Sequence, residues 1–296
     1  MPQYLTPGVY VEETPVGARP IEGVGTCVAA FVGALDDSEA PMGIPTVVDN
    51  WTQYTNLFAS EGPSSALTLA VHGFFLNGGQ RCYVLNVGEG GSLTGTPSHP
   101  GLSAFEHIDE ITIVAAPGFT DAASYDAVLS HCERMKDRVA VLDAPATVAD
   151  LNDLTKPATA SSSSSSHSSG SSESTGADAE SDAEAGGESS SAASSAYSSQ
   201  RSSTGGAAPR PSEWGAVYFP WIKVVDPLTN RIVDAPPSGH VAGVWARTYG
   251  NRGVRKAPAN ETLRGALDIT QALMPSEQRL LNSAGVNTIR SVKGSI

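Results

Sequence analysis

The chain has 296 residues, 40% of them hydrophobic, and carries a formal net charge of −13 at pH 7. This length accommodates about two domains of ordinary size, or one large domain with an insertion. The acidic balance argues against general nucleic-acid binding, which requires a basic surface. No window approaches the roughly 20 apolar residues of a membrane-spanning helix. We therefore expect neither a nucleic-acid partner nor stable membrane insertion.

The three cysteines, Cys27, Cys82 and Cys132, are widely spaced and form no CxxC pair. Each lies among apolar residues, a pattern typical of small buried side chains in a reducing compartment. The first 13 residues lack the basic segment and apolar stretch of a secretion signal. The sequence therefore predicts assembly in the cytoplasm.

Residues 1–23 are predicted to form an extended N-terminal arm. Pro7 and Gly8 make a turn signal, and the short β-prone run Val9, Tyr10 and Val11 follows, ending at Glu12. A β-prone segment ahead of a domain can pair with its own sheet or add to an exposed edge of a neighbouring molecule. The residues alone leave both possibilities open.

Residues 24–159 are predicted to alternate strands with helices. Continuous apolar runs predict strands that are covered on both faces, and polar caps followed by apolar residues at helical spacing predict the helices. A strand, a helix and a strand within about 30 residues predict parallel pairing with a right-handed crossover. The expected fold class is α/β, with a mixed, largely parallel sheet flanked by helices. The strands are predicted at 24–33, 81–87, 111–116 and 139–142, with a short strand after Pro45, and the helices follow Asn50, Ser64 or Ser65, and Asp121.

The glycines around the first strand do not form a dinucleotide-binding motif. A third glycine would be required at position 28, which holds Val28, and no acidic partner follows at the proper spacing. The chain also lacks a phosphate-binding loop. We therefore expect no cofactor.

Residues 160–208 differ in kind from the rest of the chain. Serine dominates this segment together with glycine, alanine and acidic residues, and branched aliphatic residues are absent. Such a composition cannot bury enough apolar surface to offset backbone ordering, which costs roughly 1–2 kcal/mol per residue. The segment is predicted to be a disordered, acidic surface insertion.

Residues 209–296 are predicted to complete the α/β domain. The aromatic-rich run 213–225 predicts a strand, and a helix is expected around 240–249. Further along, 262–274 predicts a short strand or helical turn, 276–283 a helix and 286–292 a strand.

The stretch 238–243 (SGHVAG) resembles the histidine motif of subtilisin-type proteases, and Asp143 ends a run (VAVLD) similar to the strand that carries their catalytic aspartate. In the protease motif, HGTHVAG, the first histidine is catalytic, and Pro237 occupies that place here. Proline cannot accept a proton, and no GTSMA nucleophile motif follows. We therefore predict no catalytic residue, with Asp143 as a strand-end acid and His240 as a helix-start histidine. A scaffold or adhesin-like module with a Ser-rich stalk is a second alternative.

Several motifs together carry a stronger resemblance. In chain order they read TPGVYVEE, NWTQYTNLF, NGGQRCYVLNV, ITIVAAPG, SEWGAVYFPWI, PPSGHVAG followed by KAPAN, and LLNSAGVNTIRSVKGS. The chain resembles the tail sheath proteins of contractile phages and related contractile injection systems. The resemblance implies a non-catalytic, subtilisin-like α/β domain whose arm exchanges strands with adjacent subunits.

By the same resemblance, subunits stack as hexameric rings around an inner tube and contract to drive the tube through a target membrane. The implied partners are other sheath subunits, the inner tube protein, and baseplate and cap components. Sheath proteins continue into a C-terminal domain, which we expect to be absent from this chain. The basic residues Arg247, Arg252, Arg255 and Lys256 then make intersubunit salt bridges or form a solvated or intrachain-paired face.

Overall fold

The computed structural model describes residues 27–35, 40–58, 62–88, 90–96, 100–158, 206–253, 255–292 and 296. The predicted N-terminal arm, with Pro7 to Glu12, lies outside the described residues, as does almost all of the predicted insertion. Both assignments therefore stay predictions.

The described chain forms ten strands and five α-helices, joined by turns and two short 3-10 helices. In chain order they are β1 Val28–Gly33, β2 Thr46–Val48, α1 Trp51–Phe58, α2 Ala66–Leu76, β3 Cys82–Asn86, β4 Ile111–Ala115, α3 Ala122–Met135, β5 Val139–Asp143, β6 Gly215–Phe219, β7 Ile222–Val225, β8 Ile232–Ala235, α4 Ser238–Arg252, β9 Ala266–Ile269, α5 Pro275–Ser283 and β10 Val286–Thr288.

Seven strands form the main sheet, in the order β10-β6-β5-β4-β1-β3-β2. Every neighbouring pair is parallel except β2 with β3, which is antiparallel. The succession β4, α3, β5 gives the predicted parallel pairing, with Ile113 opposite Val139. The expected α/β class with a mixed, largely parallel sheet is confirmed.

Both faces of the main sheet are buried, as the continuous apolar runs predict. Ala29 and Phe31 of β1 belong to a core shared with α1, α2 and α4, whereas Ala30 and Val32 belong to a second core shared with α3 and α5. Successive side chains of a strand point to opposite faces, so a strand between two helical layers needs apolar residues at every position.

Three predicted helix caps form as expected. Asn50 Oδ1 accepts from the Gln53 amide at 2.8 Å, and Ser65 Oγ accepts from the Thr68 amide at 3.1 Å. Asp121 Oδ1 accepts from Ser124 N at 3.0 Å. Each side chain satisfies an amide that the first turn of a helix leaves unpaired.

The prediction of one strand over 213–225 is wrong. The run divides at Pro220 into β6, which belongs to the main sheet, and β7, which is the middle strand of a separate sheet ordered β8-β7-β9. Proline has no amide to donate to a ladder, so the strand cannot pass through this position in regular pairing. The predicted region 262–274 contains strand β9, and strand β8 is additional.

Helices α2 and α4 pack closely because glycine faces the partner helix. A Cβ on Gly239 would lie 2.2 Å from the carbonyl oxygen of Ala70, and one on Gly243 would lie 2.5 Å from that of Phe74. Real side chains do not approach a backbone this closely, so any larger residue forces the helices apart. The glycines of the stretch 238–243 are therefore explained by helix packing.

We predict that Gly239→Ala destabilises the fold by about 1–3 kcal/mol, because the added methyl group overpacks a rigid backbone contact. Gly250→Ala is the matched control on the same helix, since nothing lies within 4 Å of a Cβ there. Alanine at such an exposed helical site is expected to be neutral or to stabilise by roughly 0.5–1 kcal/mol. Urea denaturation of both variants measures the difference, and equal effects would contradict the packing explanation.

The two described ends that flank 159–205 lie side by side. The Ala158 amide donates to Ala208 O at 2.7 Å, and the Ala208 amide donates to Lys156 O at 3.0 Å. Beyond this contact, the Arg210 guanidinium binds Glu133 on α3 at 2.6 Å. The chain thus leaves and re-enters the fold at one place that is held by backbone hydrogen bonds.

Replacing 160–205 by two glycines is predicted to leave the thermal transition cooperative and its midpoint within about 2 °C of the wild-type value. The two ends that the glycines join already lie side by side, so a short connection is sufficient. Ala208→Pro is the contrasting variant, since proline removes the amide that pairs with Lys156. We expect it to lower the midpoint by several degrees, or about 1 kcal/mol. Calorimetry of the deletion variant would contradict this view if cooperativity were lost.

Candidate functional site

The carboxylate of Asp143 joins the end of β5 to the start of α4. Its two oxygens accept from the Ser238 amide and the Ser238 hydroxyl, each at 2.7 Å. The Tyr125 hydroxyl donates to the Asp143 carbonyl at 2.7 Å, and the Trp221 indole donates to the Ala144 carbonyl at 2.8 Å. The residues that resemble a protease aspartate and a protease histidine motif are therefore brought together, as a structural brace.

Burial governs the protonation of this region. It raises the pKa of Asp143 to about 7, although hydrogen bonds from Ser238 and from the Gly118 amide act in the opposite direction. It lowers the pKa of His240 to about 3, helped by the nearby His72. Desolvation disfavours the charged form of either group, so His240 is neutral at physiological pH.

His240 lies in the first turn of α4, as predicted, but has no catalytic geometry. Its ring packs against α2, where a Cβ on Gly73 would lie 2.2 Å from Nδ1, and this nitrogen has no hydrogen-bond partner among the described residues. The Ser238 hydroxyl is bound to Asp143 instead of an imidazole. Pro237, in the place of the protease base, precedes the first residue of α4, where proline is well tolerated.

Asn77, just after α2, holds three parts of the chain together. Its amide nitrogen donates to Gly73 O at 2.9 Å and to Arg264 O at 3.1 Å, and its Oδ1 accepts from the Arg264 amide at 2.8 Å. Arg247 of α4 donates to Asn77 O at 3.2 Å and to Thr262 O at 2.8 Å. No pattern in the sequence indicated this role for Asn77.

The four residues of the predicted basic cluster are in two different environments. The Arg247 side chain is only 13% exposed and lies 4.0 Å from Glu261, which also pairs with Arg252 at 3.1 Å. Arg255 and Lys256 are exposed and form no ion pair with another residue that the structure describes. Arg247 and Arg252 thus serve contacts within the chain, whereas Arg255 and Lys256 remain available on the surface.

A cleft of about 1050 Å³ lies beside this cluster, between α4, strand β10 and the loop 255–263. Tyr218, Trp245 and Tyr249 form an aromatic wall, in which the Trp245 indole donates to the Tyr218 hydroxyl at 3.2 Å. Arg255 and Arg290 also line the cleft. Part of the block 236–260, which contains one of the motifs that carry the sequence resemblance, lines this cleft.

Within the ranges that the structure describes, no group of three or more His, Cys, Asp or Glu residues is arranged to hold a metal ion. None of the described helices is both long and apolar enough to span a bilayer.

Asp143→Asn is predicted to change how stability depends on pH. Because the folded-state pKa of Asp143 is raised to about 7 above an unfolded value near 3.9, its contribution is fully present below pH 4 and is lost as the pH rises through 7. The wild type should therefore lose roughly 1–3 kcal/mol relative to the variant between pH 5 and pH 8.

Urea denaturation at both pH values measures this effect. Asp109→Asn, at an exposed position, is the matched control and should follow the wild type. A constant difference between Asp143→Asn and wild type across the range would show that this carboxyl group does not titrate there.

Residues 99–296 match the family model described as the phage tail sheath protein central domain. A comparison with curated protein sequences gave no match.

Three solved structures are similar over almost the whole chain. The baseplate of the anti-feeding prophage (AFP) contains a chain 26% identical, with a TM-score of 0.59, covering 99% of this chain and 67% of that one. The contracted AFP helical sheath contains a chain that is 25% identical, with a TM-score of 0.58, covering 99% of this chain and 66% of that one. The contracted sheath complex of the extracellular contractile injection system PVC contains a chain that is 23% identical. Its TM-score is 0.60, and the match covers 100% of this chain and 66% of that one. The present chain spans about two thirds of the length of these proteins.

The family model covers two thirds of the chain, including β4 to β10 with the brace and the cleft, and the shared fold extends over the remainder. The chain belongs to the phage tail sheath protein family.

Proposed function

We propose that this chain is a structural subunit of a contractile sheath, which assembles as stacked hexameric rings around an inner tube and contracts to drive the tube through a target membrane. The observation that carries this proposal is the match of 99–296 to the sheath central domain, together with the likeness to contracted sheaths. The particle is a phage tail or an injection system, with subunits assembled in the cytoplasm.

The subunit acts mechanically and has no enzymatic activity in this proposal. The support is chemical: a neutral, unpaired His240 packed against α2, a Ser238 hydroxyl bound to a carboxylate, and Pro237 in the place of the protease base. Nucleophilic catalysis requires a base that is within hydrogen-bond reach of the nucleophile, and these residues do not provide one.

Other sheath subunits and the baseplate are the first partners in this proposal, because the similar chains come from a helical sheath and a baseplate. The inner tube protein and the cap are further proposed partners, as the sequence resemblance to sheath proteins implies. Neither nucleic acid nor a membrane-embedded segment is part of it. The acidic charge of the chain is in keeping with protein partners.

A contracting polymer needs subunits that reorient without separating. A rigid core supplies the moving body, and backbone strands that are exchanged between subunits supply a flexible, directional link. Residues Pro7 to Glu12 are the proposed exchanging arm, with Val9, Tyr10 and Val11 as its strand. Arg255 and Lys256 are the proposed sites of intersubunit ion pairs, each worth at most about 1 kcal/mol at an exposed position.

Replacing both Val9 and Val11 by proline is predicted to abolish sheath assembly, because proline cannot donate to a strand ladder. The folded core should remain intact, since both positions lie in the predicted N-terminal arm, ahead of the first strand of the α/β domain. Negative-stain electron microscopy counts helical tubes or rings, and circular dichroism checks folding.

The matched control is Tyr197→Pro with Ala196→Pro, which places two prolines in the Ser-rich segment. This variant should assemble like the wild type. Normal tubes from the arm variant would refute strand exchange by this arm, whereas tubes missing from both variants would indicate a general effect of the added prolines.

A further inference from the structure

A tight bend ahead of β2 exposes two large apolar side chains. Residues 41–45 read Pro-Met-Gly-Ile-Pro, and Met42 and Ile44 are 43% and 63% exposed. A single exposed apolar residue is ordinary on a protein surface. Two of them within one five-residue bend form an apolar projection, which we call the knob (residues 41–45).

The knob is held in one conformation by the residues around it. The Gly43 amide donates to Asn86 O of β3 at 2.8 Å, and the Thr46 hydroxyl donates to Ile44 O at 3.2 Å. Gly43 has a φ of 70°, which glycine adopts without strain, and a proline at each end of the knob restricts the backbone further. A projection that is already ordered loses little conformational entropy when it binds a partner.

The cleft between α4 and β10 has the complementary chemistry. Its aromatic wall, formed by Tyr218, Trp245 and Tyr249, is only partly buried. Methionine sulfur and aliphatic groups pack favourably against aromatic rings. The cleft volume of about 1050 Å³ is at the upper limit of ordinary ligand pockets, roughly 300–1,000 Å³, so the cleft has room for the side chains of a short bend.

The charges beside the knob and the cleft are also complementary. Arg255 and Arg290 line the cleft, are exposed, and form no ion pair with another residue that the structure describes. The acidic residue in the lining, Glu261, is already paired with Arg252. In the sequence, residues 36–39, just ahead of the knob, read Asp-Asp-Ser-Glu. Opposite charges around an apolar contact steer association and fix its orientation more than they add affinity.

The knob and the cleft lie at opposite ends of the main sheet. The knob leads into β2, the outermost strand at one end, whereas β10, at the other end, lines the cleft. These two strands are six strand spacings apart, which is about 29 Å. Because the knob is bonded to β3, it cannot reach the cleft of its own chain. Only a second molecule can bring the two surfaces together, and their contact is then head-to-tail.

We propose that the knob of one subunit inserts into the cleft of a neighbouring copy of this chain. Met42 and Ile44 contact the aromatic wall, while Arg255 and Arg290 face the acidic sequence that precedes the knob. The proposal rests on the proposed sheath function, because it takes another subunit as the partner. It joins two preformed surfaces of the folded domain and requires no exchanged strand.

Single cysteines placed in two separate preparations test this contact. Ile44→Cys is in one preparation, and Val292→Cys, in the exposed part of the cleft lining, is in the other. The two are mixed before assembly and treated with a short bismaleimide cross-linker. The native cysteines are buried, so every product that joins positions 44 and 292 is intermolecular. Mass spectrometry should find this product in about tenfold excess over mismatched pairs, because docking raises the effective concentration of the two thiols.

Two mismatched pairs with equal exposure are the controls. Ile232→Cys takes the place of Ile44→Cys, because Ile232 is 66% exposed and Ile44 is 63% exposed. Leu267→Cys takes the place of Val292→Cys, because these residues are 54% and 50% exposed and Leu267 lies outside the cleft lining. If either mismatched pair were cross-linked as strongly as positions 44 and 292, knob insertion would be refuted.

A charged substitution in the knob gives a second readout. Ile44→Lys removes an apolar contact and places a cation opposite Arg255 and Arg290. Self-association measured by sedimentation velocity should weaken about tenfold or more, as expected for the loss of an interface anchor. Ile232→Lys is the matched control and should change self-association by less than about twofold, as expected outside an interface core. Circular dichroism checks that both variants are folded.

The outcomes distinguish the knob contact from the function on which it rests. Rings or tubes that lack the product joining positions 44 and 292 overturn knob insertion and leave the sheath function standing. The same product from a chain that forms only short, open oligomers supports knob insertion and counts against the sheath function. A chain that stays monomeric in sedimentation at every concentration contradicts both.

Discussion

The close contact between α2 and α4 is the constraint on which much of this domain depends. Ala70 and Phe74 present backbone atoms to Gly239 and Gly243, so the helices approach without intervening side chains. That approach buries His240, places Arg247 within reach of Asn77, and sets α4 over the main sheet, where it forms one wall of the cleft. Dense packing of this kind has low compressibility, so a displacement of one helix is transmitted to the other.

The same contact explains how an apparent active-site motif arises without chemistry. Small residues at the start of α4 serve close packing, and an acid at the end of β5 accepts a hydrogen bond from the first amide of the helix, that of Ser238. In a protease, a similar motif carries the catalytic histidine. The difference lies in what faces them: the Asp143 carboxylate meets Ser238, and His240 meets a helix backbone, so burial keeps the imidazole neutral and unpaired.

Local patterns predicted the parts of the fold that depend on local physics. Continuous apolar runs gave β1, β4 and β5, and polar caps gave the starts of α1 to α3, because burial and capping depend on residues close in sequence. Strand β8 escaped prediction, since Ile232 is 66% exposed and only Ala235 is buried. The Asn77 hub was also unpredictable, because its partners lie 170 and 187 residues away.

The described residues that hold the fold together lie in two cores, apart from the outer edges of the main sheet. The two cores hold the described α/β body together. The outer strands β2 and β10 of the main sheet each have one edge with no partner strand among the described residues, and the Gln53 side chain donates to Val47 O of β2 at 3.1 Å. A subunit with two open edges would add strands indiscriminately, and one with none could not be linked through its sheet. Where the edge strand of one subunit accepts a strand donated by the next subunit, the contact is head-to-tail. Such a heterologous contact closes into rings or continues as a helix, the two geometries that a stacked sheath combines.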